Sequence, residues 1–140
     1  MTTIAELLGG GKVLSAKVKS EIELIDMVQA GVPAAAVQWL VESLELSPEV
    51  TASIISRRTL ERRLKMNRSL TGDESDRLVR IARIGALAID AFGDRRKAIT
   101  WMNRPNRALQ GKTPISVIST DPGAQFVERI LGRIEHGVFS

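Results

Sequence analysis

The chain has 140 residues, enough for one compact unit or two small ones sharing an interface, and its apolar fraction of 44% supports a real core. It has no cysteine, which excludes disulfides and thiolate metal sites, and only one histidine, which leaves no basis for a transition-metal centre or any other bound cofactor. The net charge of +4 is polarised: residues 1–46 carry three lysines against six acids, residues 47–80 eight cations against five, and residues 81–140 nine against five, so an anionic partner is expected, nucleic acid foremost.

No run approaches the roughly 18 apolar residues of a membrane helix. The start, MTTIAELLGG, lacks the basic region of a signal peptide and meets Glu6 at once. A cytoplasmic protein with no membrane partner is expected.

The elements read almost entirely as helix, since there is no tyrosine and no sustained alternation. Gly9-Gly10-Gly11 reads as a flexible linker, without the spacing of a phosphate loop. Ser20-Glu21-Ile22-Glu23 forms a capping box opening a helix that stops near Gly31. Pro33 starts a second helix with Val37, Leu40, Val41 and Leu44 as its buried stripe. Ser47-Pro48-Glu49 opens a short third helix, and a fourth follows near Ser56. Thr71-Gly72-Asp73-Glu74 is a second capping box, opening a long helix to about Phe92. Asp94 caps a helix carrying Trp101. Residues 103–111 form a loop, Thr113-Pro114 opens a short helix, and Asp121-Pro122 opens the last, with Asp121 as its N-cap. Trp39 and Trp101 lie on apolar faces and read as core. Such short connections predict tight all-α packing, and the loop at 103–113 is the best internal boundary.

Two segments carry chemistry. Residues 56–68, SRRTLERRLKMNR, place Leu60 and Leu64 on one side of a helix; Arg58, Arg62 and Lys65 fall opposite, with Arg57 and Arg63 on the flanks. A cationic face on a two-leucine anchor suits a recognition helix, because arginine reads guanine bidentately and either cation neutralises phosphate. Residues 47–55 and a short turn complete a helix-turn-helix, although Ser53-Ile54-Ile55-Ser56 lacks the glycine often found there. The same face equally reads as a solvated exterior with Glu61 and Lys65 as an i,i+4 pair. Arg77, Arg80 and Arg83 read either as a continued phosphate track or as the polar side of a buried helix.

In the last twenty residues, Phe126, Val127, Ile130, Leu131 and Ile134 share one face, Gly137 supplies a stop, and Val138 and Phe139 form an apolar tail. That stripe either packs on residues 93–118 or docks a partner in a groove. Catalytic candidates are absent: His136 has no triad-like neighbours and reads as a cation suited to a helix C-terminus, and the acids sit mostly at helix starts, so the chain is not expected to be an enzyme.

Taken together, an ordered series of motifs resembles the Xre/MbcA/ParS family of antitoxins, partners of RES-domain toxins in bacterial type II systems. The series begins with Arg58-Thr59-Leu60-x-Arg62-Arg63 and Leu70-Thr71-x-x-Glu74-Ser75-Asp76-Arg77-Leu78, then Ala82-Arg83 and Phe92-Gly93-Asp94. It continues through Trp101-Met102-x-x-Pro105-Asn106-x-Ala108-Leu109-x-Gly111-Lys112-Thr113-Pro114 to Gly123-Ala124-x-x-Val127-x-x-x-Leu131-x-Arg133-Ile134-Glu135-x-Gly137-Val138. Met102 and Gln110 depart from the common leucine and glycine.

The resemblance implies an all-α fold: a helix-turn-helix body with a small C-terminal helical toxin-binding module. Residues 1–46 would support the fold and dimerisation, residues 47–102 would bind operator DNA, and residues 103–140 would bind the toxin, an NAD-consuming enzyme. Arg57, Arg58, Thr59, Arg62, Arg63 and Lys65 would then meet DNA. Phe126, Val127, Ile130, Arg133, Ile134, Glu135, Phe139 and Ser140 would meet the toxin, with the Ser140 carboxylate plugging its anion pocket. A homodimer within a larger toxin-antitoxin assembly is expected. The alternative is a helix-turn-helix regulator whose C-terminal module serves only dimerisation.

Overall fold

The computed structural model describes residues 3–14, 21–135 and 137, and in these the chain is all-α. The helices are α1 (Ile4–Leu7), α2 (Glu21–Ala30), α3 (Ala35–Leu44), α4 (Pro48–Ile54), α5 (Arg57–Lys65), α6 (Gly72–Phe92), α7 (Arg95–Met102), α8 (Pro114–Val117) and α9 (Asp121–Glu135). The central element is α6, against which α1, α2, α3, α4, α7 and α9 all pack. Its start is the expected capping box: Thr71 Oγ1 accepts from the Glu74 amide at 3.2 Å, and Glu74 Oε1 accepts from the Thr71 amide at 2.8 Å. Gly93, at φ +69°, ends it, and Asp94 Oδ2 accepts from the Lys97 amide at 2.9 Å to start α7.

The buried residues of α6 cover more than half of its circumference, with Leu78, Val79, Ile81, Ala82, Ile84, Ala86 and Ala88 enclosed and Asp76, Arg80 and Arg83 on the remaining side. Such a helix belongs in the middle of a fold rather than on its surface. Gly85 lets α3 approach closely: a methyl group there would lie 2.6 Å from Leu44 Cδ1. Phe92 and Trp101 carry the contact into α7, with ring centroids 5.6 Å apart. Both tryptophans are half-buried rather than fully interior.

The amino-terminal glycine run differs from its expected linker role. Thr3 caps α1, whose Leu7 is buried, and Leu8 and Leu14 are buried beyond it. Gly9 adopts φ +102° and is itself buried; a side chain there would lie 2.9 Å from Trp39 Cδ1. Residues Gly10–Lys12 form a 3-10 turn, and Lys12 Nζ sits 5.5 Å from the Trp39 ring centre. The glycines thus make a tight turn against Trp39. Of the capping box expected at residues 20–23, Ser20 lies outside the described residues, while the helix it would open is present as α2.

Two connections brace one another. Leu70 N–H donates to Val32 O at 2.8 Å and Ala34 N–H to Arg68 O at 3.3 Å, forming an antiparallel bridge at Pro33 and Ser69. Ser75, the buried polar residue of α6, accepts from the Val32 amide at 2.9 Å. This bond satisfies a donor that water cannot reach. Replacing Ser75 by alanine leaves that amide unpaired and is expected to cost about 1–3 kcal/mol. Urea denaturation checks this: the midpoint should fall with an unchanged slope, and an unmoved midpoint would refute it.

Candidate functional site

The cationic segment folds as expected into a helix-turn-helix made of α4 and α5. Ser47 and Ser56 cap the two helices, accepting from Val50 and Thr59 at 3.2 and 3.3 Å. Ser56 Oγ also donates to Thr59 Oγ1 at 2.8 Å, so the half-buried Thr59 hydroxyl forms part of the cap. Leu60 and Leu64 turn inward against the core, while Arg57, Arg58, Arg62 and Lys65 are exposed. Arg57 Nε donates to Glu61 at 3.0 Å, so Glu61 pairs with Arg57 and not with Lys65. Arg58, Arg62 and Lys65 form no ion pair among the described residues.

Arg63 departs from the flank position expected of it. Its side chain is only 17% exposed and pairs with the carboxylate of Glu74, the same group that closes the α6 capping box. A guanidinium this far from water needs a counter-charge, and Glu74 supplies it. Arg63 therefore ties α5 to the start of α6.

The three arginines of α6 resolve as internal braces. Arg77 donates through Nε and Nη2 to Ile54 O at 3.1 and 2.9 Å. That carbonyl ends α4 in the turn that lacks a glycine; Ile55 is extended, at φ −158°, and needs no left-handed conformation. Arg80 donates to Ser119 O at 2.6 Å and pairs with Asp76, with Asp121 at 4.0 Å. Arg83 pairs with Glu128 at 2.8 Å. One row of guanidinium groups on α6 thus holds α4 at one end and α9 at the other. These side chains do not extend a phosphate track.

In the C-terminal helix the start shifts by one residue. Thr120 Oγ1 accepts from the Gly123 amide at 3.2 Å, so Thr120 is the cap and Asp121 the first helical residue, where its carboxylate binds Gln125 Nε2 at 2.9 Å. Gly123 lies against the Val117 carbonyl, which a side chain would strike. Ala124, Val127, Ile130 and Leu131 are buried, and Ile134 is half-buried against the core. The stripe packs chiefly on α6, with α8 beside it. Val127 and Ile130, expected as partner anchors, are therefore core residues in this structure. Phe126 remains 38% exposed with the Arg129 guanidinium 5.4 Å from its ring centre, and Arg133 and Glu135 are exposed. His136, Val138, Phe139 and Ser140 lie outside the described residues.

Two features had no clear sequence signal. Ile22 and Ile25 of α2 are 68% and 50% exposed, and Ile25 lines a groove of about 390 Å³ between α2 and α6. Arg96 of α7 pairs with Glu45, the left-handed residue that ends α3. Hydrogen bonding to Arg96 holds the Glu45 carboxyl below its ordinary range. This contribution to stability is present above the ordinary carboxylate pKa and is lost as the pH falls through the lowered one.

Among the described residues, no group of three His, Cys, Asp or Glu side chains is placed to hold a metal ion, and no helix is long and apolar enough to cross a membrane. The split between core and surface on α9 is testable by denaturation. Leu131→Ala should cost about 2–5 kcal/mol as a cavity-forming change. Phe126→Ala should stay within about 0.5 kcal/mol as a surface change. Equal losses would contradict the assigned burial.

Comparison with known proteins fits this geometry. Residues 23–83 match the model of the antitoxin Xre-like helix-turn-helix domain, and residues 87–137 that of the antitoxin Xre/MbcA/ParS C-terminal toxin-binding domain. The two matches meet inside α6. The chain is 43% identical over 90 residues to an antitoxin Xre of Yersinia enterocolitica, covering 64% of this chain and 61% of that protein. It is 40% identical over 105 residues to an antitoxin Xre of Pseudomonas putida, covering 73% and 66%. The chain thus spans about three fifths to two thirds of these relatives' lengths. Among solved structures, the crystal structure of the Mycobacterium tuberculosis MbcT-MbcA toxin-antitoxin complex contains a similar chain, at 27% identity and a TM-score of 0.55, covering 76% of this chain and 96% of that one. With both domain models matched in order along one all-α body, the chain belongs to the Xre/MbcA/ParS family of antitoxin-like helix-turn-helix proteins.

Proposed function

We propose that this chain is a type II antitoxin with two binding faces and no catalytic role. One face neutralises a RES-domain toxin that consumes NAD; the other binds operator DNA, as a dimer, and represses the chain's own operon. The observation that carries the DNA reading is the build of α5. Its leucines face inward, and Arg58, Arg62 and Lys65 project outward without acidic partners among the described residues. Arg57 shares its charge with Glu61 and serves as a weaker contact. Thr59 and Arg63 support the helix from beneath rather than meeting DNA themselves.

For the toxin face, the reading rests on residues 103–140 and on the resemblance to toxin-binding domains. Phe126, Arg133 and Glu135 form the exposed edge of α9, and Phe139 and Ser140 continue from it in sequence. Val127, Ile130 and Ile134 shape that edge from below. Residues 1–46 supply the hairpin that supports the fold and the dimer.

Truncating α9 would open the core, so surface substitutions make the cleaner test. The readout is growth and cellular NAD in cells that express the protein encoded beside this chain. That protein alone should arrest growth and deplete NAD; this chain should bind it and restore both. Combined change of Phe126, Arg133 and Glu135 to alanine should abolish rescue while the chain stays folded. Full rescue by this triple variant would exclude the assigned edge, and a neighbour that neither binds nor is rescued would exclude the toxin reading for that partner. On DNA, Arg58→Ala and Arg62→Ala should each lower the slope of log affinity against log salt by about 0.9 per protomer bound. Slopes equal to that of the unaltered chain would place DNA elsewhere.

A further inference from the structure

Between Asp94 and Asp121 the chain contains Arg95, Arg96, Lys97, Arg104, Arg107 and Lys112 and not a single acidic residue. Neither the recognition helix nor the toxin-facing edge uses these cations. Three of them, Arg95, Arg96 and Lys97, occupy the first turn of α7, where the acids beside them are Asp94, at the cap, and Glu45, paired with Arg96. The amino-terminal end of a helix carries partial positive charge and favours anions, so three consecutive cations oppose the helix dipole. Asp94 and Glu45 offset part of this charge, and the exposed excess that remains on Arg95 and Lys97 suits a negatively charged ligand.

The position of this turn identifies the ligand. Arg96 is held by Glu45, which ends α3 two residues before Ser47 caps α4. In a helix-turn-helix the first helix crosses the DNA backbone while the second enters the groove. The Glu45–Arg96 pair therefore brings the start of α7 alongside the end of the motif that faces phosphate. Arg95 and Lys97 flank Arg96, are exposed, and make no ion pair or side-chain hydrogen bond among the described residues.

We infer that Arg95 and Lys97 clamp the phosphate backbone of duplex DNA beside the site read by α5, so that the part of the chain matched to a toxin-binding domain also contributes to DNA affinity. This rests on the DNA-binding role proposed for α5. Contacts of this kind position the duplex without reading its sequence. They add affinity to every duplex, and salt screens them.

The test uses the full chain and the duplex lying immediately upstream of its own reading frame, with an unrelated duplex of equal length alongside. Anisotropy titrations over a range of salt give the slope of log affinity against log salt for the unaltered chain, for Arg95→Ala/Lys97→Ala and for Arg58→Ala/Arg62→Ala. The α7 variant should lower the slope by about 1.8 per protomer bound, two contacts at about 0.9 each, on both duplexes alike. Its thermal midpoint should be no lower than that of the unaltered chain, because the removed charges oppose the helix dipole. Arg95→Lys should restore its share of the slope. If the α5 variant loses slope and the α7 variant does not, the clamp is refuted while the helix-turn-helix reading stands. If the α7 variant keeps its slope but loses binding to the neighbour-encoded protein, the patch faces protein and the clamp is again refuted. If the unaltered chain binds neither duplex even at low salt, both readings fall together.

Discussion

The packing of α6 is the constraint on which the rest of this molecule depends. A helix of 21 residues with buried side chains over more than half of its circumference cannot stand alone; every neighbouring helix acquires its position by covering part of it. The apolar stripe of α9 is spent on this task, as are Leu44 on α3, nested at Gly85, and the Phe92–Trp101 contact with α7. Because burial is non-directional, it sets proximity but not register. Register comes from directed polar bonds: Ser75 to the Val32 amide, Arg77 to the Ile54 carbonyl, Arg80 to the Ser119 carbonyl and Arg83 to Glu128. The guanidinium groups suit this work because each offers several donors in a fixed plane.

This arrangement explains how one small chain presents two distinct faces. The Arg77 end of the row fixes the helix-turn-helix, and the Arg83 end fixes α9. The two family matches meet just beyond Arg83, so the boundary in family terms falls within a continuous helix rather than in a loop. A shared rigid helix gives both faces the same frame. It also leaves the cationic first turn of α7 beside the helix-turn-helix, through Glu45 and Arg96.

Much of the fold was legible in the sequence because local signals dominate in short helices. Ser47-Pro48, Thr71 to Glu74, Gly93-Asp94 and Thr113-Pro114 mark helix ends by chemistry that acts within three or four residues. Where two local signals compete, sequence alone misplaces the boundary: Thr120 takes the cap that Asp121 also fits. In sequence the glycine run has the character of a linker, because composition does not reveal Trp39, thirty residues from Gly9, which gives the turn something to pack against. The cationic outer face of α5 follows from helical periodicity, but the inward turn of Arg63 depends on Glu74 across a loop. The apolar stripe of α9 was legible as a stripe, while what covers it was not. Periodicity gives a face its character and leaves its partner unnamed.

The central claim is that one body, built on α6, carries a DNA face and a partner face that work together. The most direct measurement is the mass of the assembly formed when this chain, its neighbour-encoded protein and the duplex upstream of its reading frame are mixed, by light scattering after size exclusion. The account predicts a single species containing all three components. Separate DNA-bound and partner-bound species that never combine would contradict it.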